Sequence, residues 1–352
     1  MKAAFLSDVM TFELCEVPLP ECPEDGVILS VRACGICGSD LRRWREGPQT
    51  TSPSLVPGHE IAGEVVAVGR SVTDFKVGDR LAVAPDVHCG KCYYCEHGLY
   101  NLCDHLRLIG ITPGYDGGFA EYMVLTQEIL RNGVVHRVPP ELDFPQAALA
   151  EPASSVLAAH AHAGTTLGDT VLVMGAGPIG CLHIIVAKAR GARVLVSEPH
   201  AGRRQRAEIF DPDGIIDPSH QDVVAWVREM TAGRGADVVI CANPIAETQA
   251  QAVEAVRKRG RVVFFGGLPK ERPNTVLNAN LIHYGEIQVM GAFSYHPTFH
   301  QQALEAISRG IIPWKELITH VFPLESINEA FHVAASGDAL KVIITFDSGV
   351  IR

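Results

Sequence analysis

Two textures of hydrophobic and polar positions divide the chain. Up to about residue 150 the apolar positions come in short β-branched runs broken by glycine and proline: residues 27–31, 61–68 and 80–83 read as strands, and Val77-Gly78-Asp79 as a turn feeding the last of them. Many short strands with frequent turns predict a β-rich, barrel-like domain. After Glu151 the pattern changes. An apolar strand at 170–174 leads through a glycine turn into a helix-length run to residue 190, and a second strand follows at 193–197. Further apolar runs at 236–241, 261–265 and 287–290 are separated by helical stretches such as 222–230 and 246–257. Strands alternating with helices predict an α/β domain built on a doubly wound parallel sheet. From about Phe293 the pattern returns to helix and loop, closing on a strand at 342–346.

Composition narrows the class. A chain of 352 residues with 47% hydrophobic and 20% charged residues is long enough for two domains, each with its own core. Its formal net charge of −10 argues against a nucleic-acid partner, because phosphate recognition draws on basic surfaces. The first residues, Met1-Lys2-Ala3-Ala4-Phe5-Leu6-Ser7-Asp8, lack the apolar stretch of a signal peptide. Apolar runs such as 181–187 are too short to span a membrane. Ten cysteines in such a chain imply a reducing, cytoplasmic setting, where thiols bind metal or pack in a core. Cys15, Cys22, Cys34, Cys181 and Cys241 carry no ligand spacing and read as packing residues.

Cys89, Cys92, Cys95 and Cys103 do carry ligand spacing. C-x2-C-x2-C-x7-C brings four thiolates close enough to surround one tetrahedral zinc, and the glycine and polar residues around them read as an exposed loop. Disulfides would close strained, very short rings there. This is a structural site, and the rest of the chain decides the function.

Gly175-Ala176-Gly177-Pro178-Ile179-Gly180 is G-x-G-x-x-G, placed directly after a strand and at the start of a helix, the context in which that pattern binds a dinucleotide. Gly175 permits the tight turn, Gly177 lets backbone approach a pyrophosphate, and Gly180 allows close helix–strand contact. Glu198 stands at the end of the next strand, where a carboxylate accepts the ribose hydroxyls of NAD and repels the extra phosphate of NADP. Arg203 and Arg204 follow, and a guanidinium suits that phosphate, so NAD is favoured and NADP is the lesser alternative.

A second set of ligand types lies elsewhere: Cys37 within Cys34-Gly35-Ile36-Cys37-Gly38-Ser39-Asp40, then His59-Glu60 after Pro57-Gly58, and Glu151-Pro152. Thiolate, imidazole and carboxylate leave one position open on a catalytic zinc, which acts as a Lewis acid toward an alcohol or carbonyl oxygen. With Gly117-Gly118-Phe119-Ala120-Glu121-Tyr122 and the tail Ile327-Asn328-Glu329-Ala330-Phe331 through Lys341, these stretches make essentially the whole chain resemble the zinc-containing medium-chain dehydrogenases, nearest their polyol (sorbitol-like) branch. The resemblance implies a GroES-like catalytic domain over 1–153, completed by 293–352, and an inserted Rossmann domain over 154–292, with the active site in the cleft.

Carried over residue by residue, the resemblance makes Cys37, His59 and Glu60 zinc ligands and puts Glu151 on zinc directly or through water, the two glutamates being open to exchange. Ser39 becomes the hydroxyl that relays the alcohol proton. Its usual histidine outlet is replaced by Arg42, which stays protonated. Ile179, Arg203, Phe265, Gly266, Gly267, Phe293 to Tyr295 and Lys341 fall where relatives contact the dinucleotide, Lys341 as a cation against the pyrophosphate. Arg43, Glu151 and Tyr295 fall in the substrate pocket; sorbitol dehydrogenases have a tyrosine at Arg43 and an arginine at Ser294, which argues against sorbitol itself. The expectation is an NAD-dependent oxidation of a secondary alcohol in a polyol, cyclitol or sugar derivative. Threonine-dehydrogenase-like chemistry is the alternative within the class, and a non-catalytic zinc and dinucleotide binder the alternative outside it. Two zinc ions per chain, a small polyhydroxylated substrate, no membrane partner and a homo-oligomer (dimer or tetramer) complete the reading.

Overall fold

A computed structural model describes residues 1–48 and 55–346. The chain divides into two compact units, Met1–Ser154 with Ser294–Arg352, and Ser155–Phe293. Each boundary lies one residue beyond the expected one. Residues 347–352 of the expected closing segment lie outside the described residues.

The first unit is built on an eight-stranded sheet. Its main path runs Ile318–Pro323, Lys341–Thr345, Val27–Gly35, Glu60–Val68, Arg80–Val87 and Arg107–Leu108, with Tyr122–Leu125 paired on the third strand and Gly133–Arg137 on the fifth. Val27–Gly35 is buried almost throughout, which is why its apolar run continues past the expected end at Val31. Antiparallel pairing sets Gly35 opposite both Glu60 and Ile343, so three distant segments meet at one point of the sheet. Arg80–Val87 likewise runs past its expected end, through Pro85. Proline has no ladder N–H, and the pairing with Gly133–Arg137 shifts register between Ala84 and Val87 to accommodate it. An aromatic cluster of Phe12, Trp44, Phe119 and Phe331 anchors the core of this unit.

The second unit holds a six-stranded, fully parallel sheet in the order Gly214–Ile216, Arg193–Ser197, Thr170–Met174, Ala236–Cys241, Val256–Phe264, Gln288–Gly291. With Thr170–Met174 counted first, this is the 3-2-1-4-5-6 order of the doubly wound dinucleotide fold. The strand reversal falls beside Thr170–Met174, whose carboxyl end carries the glycine turn. Asp222 caps the helix Val223–Met230 by accepting the N–H groups of Val224 and Ala225. The helix expected to reach Arg257 ends at Ala255. Val256 and Arg257 instead open the next strand, where Val256 pairs with Ala236.

Candidate active site

The thiolate quartet is assembled. The Sγ atoms of Cys89, Cys92, Cys95 and Cys103 lie within 4.8 Å of one another, and Cys92 and Cys95 are 3.5 Å apart. A tetrahedron with zinc–sulfur bonds of about 2.3 Å has edges of about 3.8 Å, so the four fit one zinc ion. The segment is more ordered than the expected loop: Tyr93–Glu96 is a helical turn, Tyr100–Leu102 a 3-10 turn, and Cys95 and Cys103 are buried. Backbone N–H groups of Cys89 and His105 point at Cys103 Sγ at 3.2 and 3.3 Å, the arrangement that stabilises a thiolate. Burial disfavours the Cys92 thiolate, but the N–H groups of Cys95 and Asp104 more than offset it and bring its pKa to about 6.

Cys37 caps the helix Gly38–Glu46, which carries Ser39, Asp40 and Arg43. Asp40 Oδ2 accepts the Cys37 N–H at 3.0 Å, fixing the turn that presents the thiol. Asp40 Oδ1 lies 3.4 Å from His59 Nδ1, too poorly aligned for a hydrogen bond. Even so, the carboxylate beside Nδ1 favours the tautomer that leaves Nε2 as the donor atom for a metal. His59 Nε2 in turn lies 3.3 Å from Ser39 Oγ. Burial pulls the pKa of His59 down, but Asp40 and Cys37 outweigh it and hold the imidazole well above its ordinary value.

Glu60 is fully buried and turned toward Lys341, whose Nζ donates to its two carboxylate oxygens at 2.7 and 2.8 Å and to the Ile36 carbonyl at 3.2 Å. A Cβ at Gly35 would lie 1.9 Å from Glu60 Oε2, so only glycine leaves room for this pair. Two expectations change here. Lys341, read as a pyrophosphate cation, is buried and committed to Glu60. Among the described residues the only group of ligand atoms gathered within 4.8 Å is the cysteine quartet, so Cys37, His59, Glu60 and Glu151 are not drawn together as tightly. Glu60 is engaged by Lys341 instead.

Glu151 opens the helix Ala150–His162, and Tyr295 donates to its Oε1 at 3.5 Å. Burial pushes the pKa of Glu151 up to about 8, with Glu60 and Asp86 adding to the rise while His59 and Lys341 oppose it. Burial also drives the Tyr295 hydroxyl well above its usual range. Asp86, at the end of the strand that runs through Pro85, belongs to the same neighbourhood and was not anticipated. It is buried, accepts the Ser294 hydroxyl, and burial raises its pKa to about 6. Its only sequence signal was an acidic residue just beyond an apolar run. Asp40 stood inside a recognised motif without a role. Carboxylates and a thiol thus outnumber the cations Lys341 and His59, and a divalent cation fits that donor set and charge. Arg43 donates to the Gly110 carbonyl at 3.2 Å, and Arg42 is exposed.

In the second unit, Gly175 adopts φ +108°, and a Cβ at Gly180 would meet the Gly175 carbonyl oxygen at 1.9 Å. No atom lies within 4 Å of the Cβ position at Gly177, the N-cap of the helix Pro178–Ala189, which leaves backbone open to a pyrophosphate. Glu198 is buried, its oxygens accepting the N–H groups of Ala176 at 2.7 Å and His200 at 2.9 Å. A carboxylate retains further acceptor capacity for a ribose diol. Arg204 is committed to Asp217 at 3.0 Å and to the carbonyls of Glu198 and Pro199, while Arg203 is half-buried on the same helix. Ile179, Phe265, Gly266, Gly267 and Phe293 all follow carboxyl ends of parallel strands, with Phe265 edge-on to His183 and Phe293 largely exposed. This arrangement suits a dinucleotide.

Two family models match the chain: residues 23–139 match the alcohol dehydrogenase GroES-like domain and residues 178–309 the zinc-binding dehydrogenase domain, the second running past Phe293. The chain is 36% identical to the sorbitol dehydrogenase of Bacillus subtilis, over 98% of this chain and 97% of that protein. It is equally 36% identical to the L-threonine 3-dehydrogenase of Pyrococcus furiosus, over 94% of each. Among solved structures it is similar to the 2R,3R-butanediol dehydrogenase of Bacillus subtilis, with a TM-score of 0.87, 30% identity, and coverage of 98% of this chain and 99% of that one.

Proposed function

Because the chain belongs to the zinc-binding alcohol dehydrogenase family, we propose that it oxidises a secondary alcohol of a polyol, cyclitol or sugar derivative to a ketone, with NAD as hydride acceptor. The observation that carries this reading is the Cys37–Ser39–Asp40–His59 group, in which a thiol, an oriented imidazole and a relay hydroxyl share one corner of the first unit. When bound, zinc supplies Lewis-acid polarisation of the alcohol oxygen, and the nicotinamide accepts the hydride.

The chain's own residues do the rest. Cys37 and His59 would hold the metal, with Glu151 as the carboxylate partner because Glu60 is engaged by Lys341. Ser39 Oγ accepts the alcohol proton as it gives up its own, since a hydroxyl donates and accepts at once. Arg42 cannot take that proton onward, so the outlet is water or a cofactor ribose hydroxyl. Glu151 and Tyr295 orient neighbouring substrate hydroxyls. Glu198 supports NAD over NADP, and the commitment of Arg204 to Asp217 removes one candidate for a 2′-phosphate. The cysteine quartet supports a second, structural zinc. No described helix is long and apolar enough to cross a membrane. A cytoplasmic homo-oligomer, dimer or tetramer, is the setting this reading carries.

The similarity to a threonine dehydrogenase makes L-threonine the competing substrate, and Glu151-Pro152-Ala153 stands against it. The test is NADH formation across a panel of linear polyols, inositols, sugar acids and L-threonine, with NAD and with NADP. Turnover of a polyol or cyclitol with NAD is expected. L-Threonine as the best substrate would contradict the reading, and zinc and cofactor binding without turnover of any compound would favour a non-catalytic binder.

A further inference from the structure

Ser294 is one of the few non-glycine residues with positive φ, at +50°, a conformation that L side chains adopt at a steric cost. What fixes it is visible on both sides of the turn. Its own hydroxyl donates to Asp86, and the next residue, Tyr295, donates to Glu151 at 3.5 Å. Ser294 and Tyr295 therefore span two buried carboxylates, Asp86 at 5% and Glu151 at 9% exposure. One of them lies on the bulged end of the strand Arg80–Val87, the other on the first turn of the helix Ala150–His162. Of the cations in this neighbourhood, Lys341 is bound to Glu60, His59 faces the Asp40 carboxylate at 3.4 Å, and Arg43 donates to the Gly110 carbonyl.

We propose that Asp86, seated by Ser294, is a specificity-determining residue that selects uncharged polyols and cyclitols over sugar acids and sugar phosphates. The proposal rests on the reading of this site as a polyol dehydrogenase and names its substrate class. The Ser294 hydroxyl uses one of the roughly four lone-pair positions of the carboxylate, which leaves Asp86 able to accept a substrate hydroxyl. A carboxylate or phosphate on the substrate meets like charge there in a buried setting, where repulsion is poorly screened. Like charge at Asp86 also disfavours the carboxylate of L-threonine.

The experiment compares kcat/KM of the zinc-loaded enzyme for a neutral polyol or cyclitol and for its matched acid and phosphate, in wild type, Asp86→Asn and Ser294→Ala. Wild type is expected to favour the neutral compound by about tenfold or more, and Asp86→Asn to shrink that ratio by a similar factor. Ser294→Ala keeps the charge, so it lowers kcat/KM for the neutral compound while leaving the ratio unchanged. A wild-type preference for the anionic compound, or equal ratios in wild type and Asp86→Asn, overturns the proposal. So does a Ser294→Ala variant that relaxes the ratio as Asp86→Asn does, because the effect would then be structural. Turnover of none of the compounds would instead contradict the polyol reading. Calorimetric affinities of the same compounds for the zinc-loaded protein then decide the role of Asp86 alone, with any absence of preference for the neutral compound counting against it.

Discussion

The Lys341 ammonium and Glu60 carboxylate are 5% and 0% exposed at their side chains, so neither charge has water to fall back on. Lys341→Met leaves Glu60 buried without a partner, and the loss expected for breaking such a pair is about 3–5 kcal/mol. Glu60→Gln with Lys341→Met removes both charges and should recover most of it. Urea unfolding of the single and double variants measures the difference, and additive losses would show that the two residues are not coupled. At Gly180, alanine would place a Cβ 1.9 Å from the Gly175 carbonyl. That overpacking should cost about 1–3 kcal/mol and weaken dinucleotide affinity in fluorescence titration; unchanged stability and affinity would count against the turn as drawn. Cys37, His59, Glu151 and the glycine turn were legible because each sits in a short local pattern. The partner of Lys341 was not, since 281 positions separate it from Glu60 and only the strand register around Gly35 brings them together. Asp86 was hidden for a related reason: Pro85 made the strand look finished before it was.

At the scale of elements, the helix Pro178–Ala189 is nailed to the helix Ala150–His162 by two buried histidines, with His183 Nδ1 and His160 Nε2 3.1 Å apart and His160 Nδ1 2.9 Å from the Thr165 hydroxyl. Burial lowers both pKa values, His160 to about 3. Both are neutral in the folded protein, whereas the unfolded chain takes up protons below about pH 6.5. Their contribution to stability is therefore complete above pH 6.5 and is lost progressively as pH falls toward 3. The double variant His160→Gln/His183→Gln should lose less stability than wild type between pH 6.5 and 4 in urea titrations. An identical pH dependence would contradict the neutral pair. In the cysteine segment, Tyr100 stacks on His88 at 4.2 Å and lies 5.1 Å from His296, next to Tyr295. Cys92→Ser/Cys103→Ser should abolish the structural zinc and raise KM through this contact more than it lowers kcat. An unchanged KM would show the segment to be a staple alone. The alternation of strand and helix after Glu151 announced the parallel sheet because its inner strands carry continuous apolar runs, at 171–174, 194–196 and 238–241. Helix ends such as Ala255 were less legible, since Val256 and Arg257 fit either periodicity until the sheet claims them.

For the whole molecule, the strand Gln288–Gly291 is an outer strand of the parallel sheet, and Leu281, Tyr284 and Val276 expose apolar surface nearby in the chain. A second copy pairing there would cover both; for the homo-oligomer proposed above, Val276→Asp/Tyr284→Ser should shift sedimentation toward monomer, an unchanged assembly would place the interface elsewhere, and a monomeric wild type would refute the pairing. The formal charge of −10 and the zinc and dinucleotide machinery all fit an enzyme acting on small molecules. The central claim is that Cys37 and His59 grip a catalytic zinc distinct from the one in the cysteine quartet. Its most direct test is zinc content per chain, measured by mass spectrometry alongside polyol-dependent NADH formation, in wild type and Cys37→Ala. The account predicts two zinc ions in wild type, and one with no detectable NADH formation in the folded variant. A variant that keeps both ions, or that still oxidises polyols at the wild-type rate, would contradict it.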